Sequence, residues 1–375
     1  MSRSADPRLA AIDAGEVLQG PETLHVDLTN ACNLACVTCW DHSPLLAAPR
    51  PAAWKRQRAD PERVLALIDE ALGLGGLSRV ILSGMGEPLT HPDVYTLVEA
   101  IRGRGVAVTL ITNLIAGDME RLLACDPDEL LVGVHAASAE TYRAFHPGCP
   151  DGAFAELLGR LDALVAAGRT EDKHVHVICA VNARELPAMV RLAREHGCGR
   201  ITFKLASLRG GTERCALDET ERRRLIREEL PAARAEAEAL DVDCNLDVLA
   251  AQLATGGPDT APIEEVGCFM GYLYARVLVD GTVLYCCADE IVVGSLEENS
   301  PSTAERPKDA SRANAFAELW RGPAWRTLRS RLREGRYFAA CRRCGKLNQN
   351  LKVGRRFAAR YGEERRRQVC GEEKP

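Results

Sequence analysis

The sequence predicts an α/β fold, in which a parallel sheet carries helices on its outside and a smaller α+β region follows. Apolar runs and amphipathic helical segments alternate over residues 24–205, and this order is typical of βα repeats. Further along the chain, two strand-like runs, Ala275–Val279 and Thr282–Tyr285, flank Asp280-Gly281, which indicates a hairpin. Six βα units with short connections predict an incomplete, TIM-like barrel.

The predicted strands are apolar along most of their length, as expected where both faces of a sheet are covered. They span Leu24–Leu28, Arg79–Leu82, Ala107–Ile111, Glu129–Val134, His174–Val181 and Arg200–Leu205. The helices between them span Pro61–Leu72, Asp93–Arg104, Asp118–Ala124, Ala153–Ala167 and Leu186–His196. Asp60 before Pro61 is a typical N-cap and first-turn pair.

Changes in composition predict the domain boundaries. We expect an N-terminal extension at residues 1–22, the partial barrel at 23–255, the smaller domain at 263–347 and a basic helical tail at 348–375. Glu219–Leu240 predicts a charged helix interrupted at Pro231, and Thr255–Pro262 predicts a linker. The extension is too short for a separate peptide-binding domain.

Composition excludes several classes of protein. The chain has 375 residues and a net charge of −5, which gives no electrostatic reason to expect a nucleic-acid partner. No apolar run is long enough to cross a bilayer, and the N-terminus lacks the apolar core of a signal peptide. We therefore expect a cytoplasmic protein without a membrane contact. Its 15 cysteines then favour thiolate–metal chemistry over disulfides.

Three of these cysteines, Cys32, Cys36 and Cys39, lie in the segment LHVDLTNACNLACVTCW directly after the first predicted strand. Thiolates with this C-x3-C-x2-C spacing can hold three corners of a cubane iron–sulfur cluster and leave the fourth iron without a protein ligand. An open coordination position is typical of catalytic metal sites. A zinc or disulfide loop is the structural alternative.

The cysteine loop resembles that of the radical S-adenosylmethionine (SAM) superfamily, although Thr38 stands where many members have an aromatic residue. The resemblance implies that Cys32, Cys36 and Cys39 hold a [4Fe-4S] cluster whose fourth iron binds SAM. One electron, from a donor such as flavodoxin or ferredoxin, then cleaves SAM to a 5'-deoxyadenosyl radical that abstracts a substrate hydrogen atom.

The same resemblance implies SAM contacts at three later strand ends. Gly84, Met85, Gly86 and Glu87 are similar to the family's glycine-rich motif that holds the SAM amino group. Ser138 stands where the family often places a ribose contact, with a helix N-cap as an equal alternative. Asn182 resembles the start of the family's Asn-x-x-Glu helix, and a plain helix cap is the alternative there.

A second group of cysteines lies in the C-terminal part, and its members are Cys268, Cys286, Cys341 and Cys344. The spacing resembles the SPASM/twitch extension of radical SAM enzymes, which implies an auxiliary [4Fe-4S] cluster with four thiolate ligands. Only Cys370 follows Cys344, so the shorter twitch form with one cluster is the better match. Zinc is the chemical alternative, because four thiolates suit both metals.

Three further residues near these motifs are candidates for contact with the substrate, and two of them have a second interpretation. Lys204 alternates with its apolar neighbours and would face substrate if its side of the strand is the barrel interior; a surface lysine is the simpler interpretation. Arg209, before Gly210-Gly211, marks a flexible substrate loop. Cys287 is either a substrate-facing thiol or hydrogen-atom donor, or a core residue, and core packing is the preferred interpretation.

These motifs predict a radical SAM enzyme, and the auxiliary cluster favours an oxidoreductase that dehydrogenates a small polyol or aminocyclitol in natural-product biosynthesis. The first alternative is maturation of a ribosomally made peptide by crosslinking, epimerisation or side-chain oxidation. The second is a non-catalytic iron–sulfur carrier. Fold and cofactor do not determine which substrate is bound.

Overall fold

The computed structural model describes residues 6–169, 172–257, 260–297 and 315–371. The strands span β1 (Thr23–Asp27), β2 (Arg79–Ser83), β3 (Ala107–Thr112), β4 (Glu129–Gly133), β5 (Lys173–Ile178), β6 (Arg200–Leu205), β7 (Asp243–Cys244), β8 (Tyr274–Val277), β9 (Thr282–Leu284) and β10 (Val292–Ser295). In the described part of the chain they form one sheet in the order β10-β9-β8-β1-β2-β3-β4-β5-β6-β7. The first six strands are those predicted from the sequence.

Helices separate the strands and continue to the C-terminus. They span α1 (Pro7–Ala14), α2 (Ala52–Lys55), α3 (Pro61–Gly73), α4 (Val94–Arg102), α5 (Met119–Cys125), α6 (Ala139–Phe145), α7 (Ala153–Ala166), α8 (Leu186–Glu195), α9 (Glu219–Arg224), α10 (Leu230–Leu240), α11 (Leu246–Thr255), α12 (Ile263–Val266), α13 (Ala315–Arg321), α14 (Pro323–Arg333), α15 (Leu347–Tyr361) and α16 (Glu363–Cys370). The sheet from β1 to β7 is parallel, so this arrangement is the predicted open barrel of βα units.

Local chemistry explains two of the helix boundaries. The Asp60 carboxylate accepts hydrogen bonds from the backbone N–H groups of Glu62 (2.9 Å) and Arg63 (3.2 Å), which caps α3 as predicted. A π-helical turn, Leu225–Glu229, joins α9 to α10, and Pro231 lies in the first turn of α10. Proline cannot donate a backbone hydrogen bond, so the chain leaves the regular helix directly before it.

The predicted hairpin is present, but it does not stand apart from the barrel. Gly281 adopts a φ of +79° at the turn, and its N–H donates to the Leu278 carbonyl at 2.9 Å. The first hairpin strand, β8, also pairs in parallel with β1, with Thr23 opposite Tyr274. The smaller domain therefore continues the barrel sheet.

The two ends of the described chain pack on each other. Leu9 and Ile12 of α1 are buried in the same core as the barrel and the smaller domain. The Arg365 guanidinium of α16 lies 2.6 Å from the Asp13 carboxylate of α1. Within the described residues, no helix is long and apolar enough to cross a membrane.

Candidate active site between two cysteine groups

The loop that carries Cys32, Cys36 and Cys39 begins where β1 ends and is held by its neighbours through backbone hydrogen bonds. The Asn30 N–H donates to the Gln57 carbonyl at 3.1 Å, and the Asn30 amide donates to the Gln57 side chain at 2.8 Å. Further along, the Val37 N–H donates to the Phe145 carbonyl at 2.9 Å. The loop is therefore fixed between the segment after α2 and the end of α6.

The surroundings of these thiols fit a metal cluster. Burial raises the pKa of Cys32 to about 12, and it also raises the pKa of Cys36 and Cys39. A nearby metal cation would stabilise the thiolates that burial disfavours. The Cys39 sulfur also accepts backbone N–H bonds from Asp41 (3.4 Å) and His42 (3.3 Å), which suit a metal-bound thiolate.

Over the described residues, no three His, Cys, Asp or Glu side chains are grouped to hold a single metal ion. The irons of a cubane sit at separate corners, so its thiolate ligands need not converge on one point. The donor sets present here, three thiols on one loop and four in the smaller domain, therefore fit clusters.

The glycines of the predicted SAM motif have a packing role that the sequence did not reveal. A Cβ atom on Gly84 would lie 2.3 Å from the Thr29 carbonyl oxygen, and one on Gly86 would lie 2.0 Å from the Ala31 carbonyl oxygen. The Gly86 N–H instead donates to the Thr29 carbonyl at 3.0 Å. The loop after β2 thus packs directly on the cysteine loop, at a distance that only glycine permits.

The Glu87 carboxylate connects the glycine motif to the end of β3. It accepts hydrogen bonds from the Thr112 hydroxyl (2.6 Å), the Asn113 N–H (2.7 Å) and the Leu89 N–H (3.0 Å). Burial raises its pKa to about 7, and these donors oppose the shift. The Asn113 amide in turn donates to Asn33 of the cysteine loop at 2.9 Å. The contact with the SAM amino group stays a prediction.

Ser138 acts as a helix N-cap in the structure. Its hydroxyl accepts from the Thr141 N–H at 3.2 Å and donates to the Glu185 carboxylate at 2.6 Å. The second Glu185 oxygen accepts from the Ala137 N–H at 2.7 Å. Of the two interpretations of Ser138, the N-cap is the one observed, and a ribose contact stays a prediction.

Asn182 is fully buried and does not cap a helix with its side chain. Its amide donates to the carbonyls of His135 (2.7 Å) and Val177 (2.9 Å), and its oxygen accepts from the Cys179 N–H at 2.9 Å. His135 has a φ of +61°, an uncommon conformation outside glycine. Asn182 therefore joins the ends of β4 and β5, and its predicted SAM contact remains a prediction.

The four auxiliary cysteines come from three segments: the turn before β8, the end of β9 and the turn between α14 and α15. The Asn350 side chain links two of them, because it accepts from the Phe269 N–H at 2.8 Å and donates to the Cys344 sulfur at 3.8 Å. The Cys286 sulfur accepts from the Ala288 N–H at 3.4 Å. Burial raises the pKa of the Cys268 thiol, so this group also fits a metal cluster.

Cys370 is a residue whose position the sequence did not predict. Its sulfur lies 2.2 Å from where a Gly267 Cβ would be, and 3.9 Å from the Val266 carbonyl oxygen. It therefore packs beside Cys268 and is not an incidental surface thiol. Nothing in the spacing of the cysteines indicates this proximity, because it depends on how α16 folds back.

A cavity of about 680 Å³ connects the two cysteine groups. Cys39, Gly84 and Met85 line it on the barrel side. On the opposite side it is lined by Cys268, Cys286, Cys341 and Cys344. The cavity has the size of a typical ligand site, so one substrate can lie between both cysteine groups.

Two residues with an open interpretation line this cavity. Lys204 lines it from β6 and is exposed there, so it is a solvent-accessible lysine, as the favoured interpretation held, on the side of the strand that faces the cavity. Cys287 also lies in its wall, next to Lys346, so the preferred core interpretation is wrong. Desolvation by the surrounding cavity wall lowers the pKa of both lysines, and the nearby Cys287 thiol opposes the shift. Neither lysine forms an ion pair with any of the described residues.

Arg209, predicted to mark a flexible substrate loop, is held by both sides of the cavity. Its guanidinium lies 3.8 Å from the centre of the Trp40 ring and 2.7 Å from the Asp289 carboxylate. Asp27 at the end of β1 makes a two-pronged contact with Arg276 of β8, at 3.1 and 2.7 Å. These contacts fix the smaller domain over the barrel mouth.

Comparisons with known proteins place this arrangement in a family. Residues 26–193 match the model of the radical SAM superfamily. Residues 268–345 match the SPASM model, an iron–sulfur cluster-binding domain. The chain is a radical SAM protein with a SPASM domain. The two matched regions contain both cysteine groups, so its cofactors are SAM and [4Fe-4S] clusters.

Curated relatives of this radical SAM protein differ in what they make. An AdoMet-dependent heme synthase of Methanosarcina barkeri is 33% identical over 183 residues, 47% of the chain and 48% of the relative. The mycofactocin maturase MftC of Mycobacterium ulcerans is 30% identical over 199 residues, 51% of the chain and 48% of the relative. A PqqA peptide cyclase of Gluconobacter oxydans is 32% identical over 187 residues, 48% of each. The chain thus spans about half the length of these relatives.

Solved structures show the same fold at low identity. SuiB of Streptococcus suis, bound to its precursor peptide SuiA, superposes with a TM-score of 0.60 at 16% identity, over 92% of this chain and 74% of SuiB. The anSMEcpe protein with bound AdoMet and Cp18Cys peptide gives a TM-score of 0.59 at 15% identity, over 94% of this chain and 100% of that protein. These likenesses support the fold of the radical SAM barrel with its SPASM domain.

Proposed function

We propose that this radical SAM enzyme modifies a peptide, and that the modified residue enters the cavity between the two cysteine groups. The observation that carries the proposal is the cavity itself, which reaches Cys39 on the barrel side and Cys286 on the SPASM side. A side chain or one residue of a peptide fits a space of about 680 Å³. This geometry supports a substrate that meets both cofactor sites at once.

The choice of a peptide over a small polyol rests on the relatives. One curated relative is named a peptide cyclase, and two similar structures contain a bound peptide. None of the relatives named above is a polyol dehydrogenase. The alternative of peptide maturation is therefore better supported than the polyol dehydrogenase predicted first.

Within this proposal, Cys32, Cys36 and Cys39 hold the cluster that binds SAM, and the four SPASM cysteines hold the auxiliary cluster. When bound, these groups supply the one-electron cleavage of SAM to a carbon radical and an acceptor for an electron from the substrate. The protein's own residues position them. Gly84 and Gly86 allow the loop after β2 to pack against the cysteine loop. Arg209 links the cysteine loop to the SPASM domain through Trp40 and Asp289.

Lys204 and Lys346 bind an anionic group of the peptide in this proposal. Both amines line the cavity without a carboxylate partner among the described residues. A carboxylate between them would attract both positive charges, of which that of Lys346 is half-buried and that of Lys204 is exposed to the open cavity. The peptide then lies with its reacting carbon between the two sides of the cavity.

The test is anaerobic reconstitution of the parent and of a variant with Cys32, Cys36 and Cys39 changed to alanine. We expect about eight irons in the parent and about four in the variant, at four per cubane. Formation of 5'-deoxyadenosine should be abolished in the variant. The radical SAM activity is refuted if the variant still cleaves SAM.

Peptide and polyol substrates are separated by a second measurement. The parent is incubated with SAM, a reductant and either a panel of short peptides, including any that is encoded beside its gene, or a panel of aminocyclitols. We expect 5'-deoxyadenosine formation to rise with a peptide, and the peptide to change mass or stereochemistry. A mass loss of two hydrogens from an aminocyclitol would instead restore the polyol dehydrogenase.

A further inference from the structure

A second opening lies on the other side of the cysteine loop. It is a hollow of about 310 Å³ whose wall includes Cys32, His42, Lys55 and Gly148. Cys32 lines this hollow and not the large cavity, whereas Cys39 lines the large cavity and not the hollow. The cysteine loop therefore has one side toward the substrate cavity and another toward the outer surface.

One cation, Lys55, lines the outer opening, and two arginines follow it closely in the chain. Lys55 ends α2 at the wall of the hollow, and the exposed side chains of Arg56 and Arg58 follow it. In the part of the chain that the structure describes, none of these three side chains forms an ion pair. The Lys55 amine also acts electrostatically on the Cys39 thiol. The segment that starts at the hollow thus carries a cluster of positive charge on a chain whose net charge is −5.

The basic segment is attached directly to the cysteine loop. Gln57 lies between Arg56 and Arg58, and it accepts from Asn30 through both its backbone carbonyl and its side chain. Its carbonyl also accepts from the Thr29 hydroxyl at 3.2 Å. Any partner bound to this segment is therefore held beside the loop that carries the cluster ligands.

We propose that Lys55, Arg56 and Arg58 form the docking surface for a small acidic protein that carries one electron. Electron transfer weakens steeply with distance, and SAM and substrate fill the cavity side, so the donor must approach from the outer side. The overall negative charge of the chain repels an acidic partner, and this basic surface provides the local attraction.

The inference rests on the proposed radical SAM activity, and its electron balance is simple. The reduced carrier loses one electron to the cluster site beside Cys32. The C5'–S bond of SAM breaks, and the products are methionine and the 5'-deoxyadenosyl radical. The carrier leaves in its one-electron-oxidised form.

The experiment compares the parent with a variant that carries Lys55→Glu, Arg56→Glu and Arg58→Glu. The control carries Lys352→Glu, Arg355→Glu and Arg360→Glu on α15, where three exposed cations undergo the same charge change. Binding of a purified acidic flavodoxin is measured by calorimetry at low and at high salt. We expect affinity to fall at least about tenfold in the variant, to stay within about twofold in the control, and to weaken with salt in the parent.

A second readout separates docking from chemistry. The rate of 5'-deoxyadenosine formation is measured with reduced flavodoxin and, separately, with dithionite. The variant should lose the flavodoxin-driven rate and keep the dithionite-driven rate, which also shows that it is folded and loaded. The docking surface is refuted if flavodoxin binds the variant as tightly as the parent, or does not bind the parent. Absence of dithionite-driven cleavage in the parent would refute the proposed activity instead.

Discussion

The two cysteine groups are built in opposite ways. Three thiols of the barrel site lie within eight residues of one loop, Cys32 to Cys39, and their positions depend on close backbone contacts. The four thiols of the SPASM site come from segments that are up to 76 residues apart in the chain, Cys268 to Cys344, and their positions depend on packing of the surrounding core. A site on one loop can leave a coordination position open, whereas a site assembled from several segments can surround its metal.

The surroundings of the SPASM site show what such an assembly requires. Trp320 and Trp325 are fully buried, and their ring centres lie 4.5 Å apart. The buried Arg329 guanidinium donates to the carbonyls of Gly271 (2.7 Å) and Trp320 (3.0 Å). This core holds α14 against the segment that leads into β8. The barrel loop, in contrast, is held by hydrogen bonds to the neighbouring loops and by close glycine contacts.

The largest effect should come from removing cysteine ligands of the SPASM site. Changing Cys341 and Cys344 to alanine removes two of its ligands, and we expect about four irons to be lost. Cleavage of SAM should persist, because the barrel loop is intact, while formation of modified peptide falls by at least about 100-fold, or about 2.7 kcal/mol. Iron analysis and product analysis on one preparation measure both. Equal loss of SAM cleavage and product would show that the two sites do not act separately.

The next largest effect should come from the glycine contact of the barrel site. Gly86→Ala places a methyl group against the Ala31 carbonyl, and we expect a loss of stability of about 1–3 kcal/mol together with loss of iron from the barrel site only. The control is Gly73→Ala in α3, where no atom lies within 4 Å of the added carbon. Thermal unfolding and iron content distinguish them. A Gly86→Ala protein with full iron content would contradict the packing role.

Lys204 gives a smaller effect, which concerns the space between the two sites. Lys204→Gln removes one unpaired amine from the cavity wall, and the KM for the peptide should rise roughly 10-fold, because a charged hydrogen bond contributes about 1.5–3 kcal/mol. Lys173→Gln on β5, outside the cavity lining, is the control. If kcat falls and KM stays the same, Lys204 acts on the chemistry and not on binding.

The smallest effect concerns the pH dependence of stability. All eight histidines precede residue 197 and so belong to the barrel part of the chain. Burial lowers the pKa of His135 and His174 to about 3 and that of His146 to about 4. The unfolded chain takes up protons near pH 6.5, and the folded chain does not until these lower values. The free energy of unfolding should therefore fall as the pH decreases below about 6.5.

His176 provides the matched test of that acid sensitivity. Its ring is fully buried, neither nitrogen has a partner among the described residues, and its centre lies 5.4 Å from that of Phe203. His176→Phe should raise the free energy of unfolding by about 1 kcal/mol at pH 7.5, with a larger gain at pH 5. Urea unfolding at both pH values measures this. A lower midpoint at both would mean that the ring nitrogens are satisfied in the protein.

The barrel was predictable because each βα unit is local. The six strands and most helices follow from apolar runs and from capping residues such as Asp60, and both cysteine groups follow from spacing. The pairing of β8 with β1 was not predictable, because it joins segments about 250 residues apart. Cys287 was misplaced for a related reason, since only the assembled cavity shows which side of a strand faces the substrate.

The candidate SAM contacts show the same limit. The motif at Gly84–Glu87 was found from its sequence, but the carbonyl groups against which Gly84 and Gly86 pack belong to another loop. Asn182 joins the ends of two strands by hydrogen bonds. Only the φ of His135 and the carbonyl of Val177 make that role visible. Local patterns identify which residues matter, whereas the partners of their polar atoms are set by tertiary packing.

The pairing of β1 with β8 has a consequence for how the protein is made. During synthesis, the β1 edge has no strand beside it until Tyr274–Val277 leaves the ribosome. At about 5–20 residues per second, that interval lasts roughly 10–50 s. An open strand edge is a site of aggregation, so this edge of β1 is exposed to incorrect pairing through most of translation. The β1 edge of the nascent sheet is covered only when β8, which ends at Val277 of 375 residues, has been translated.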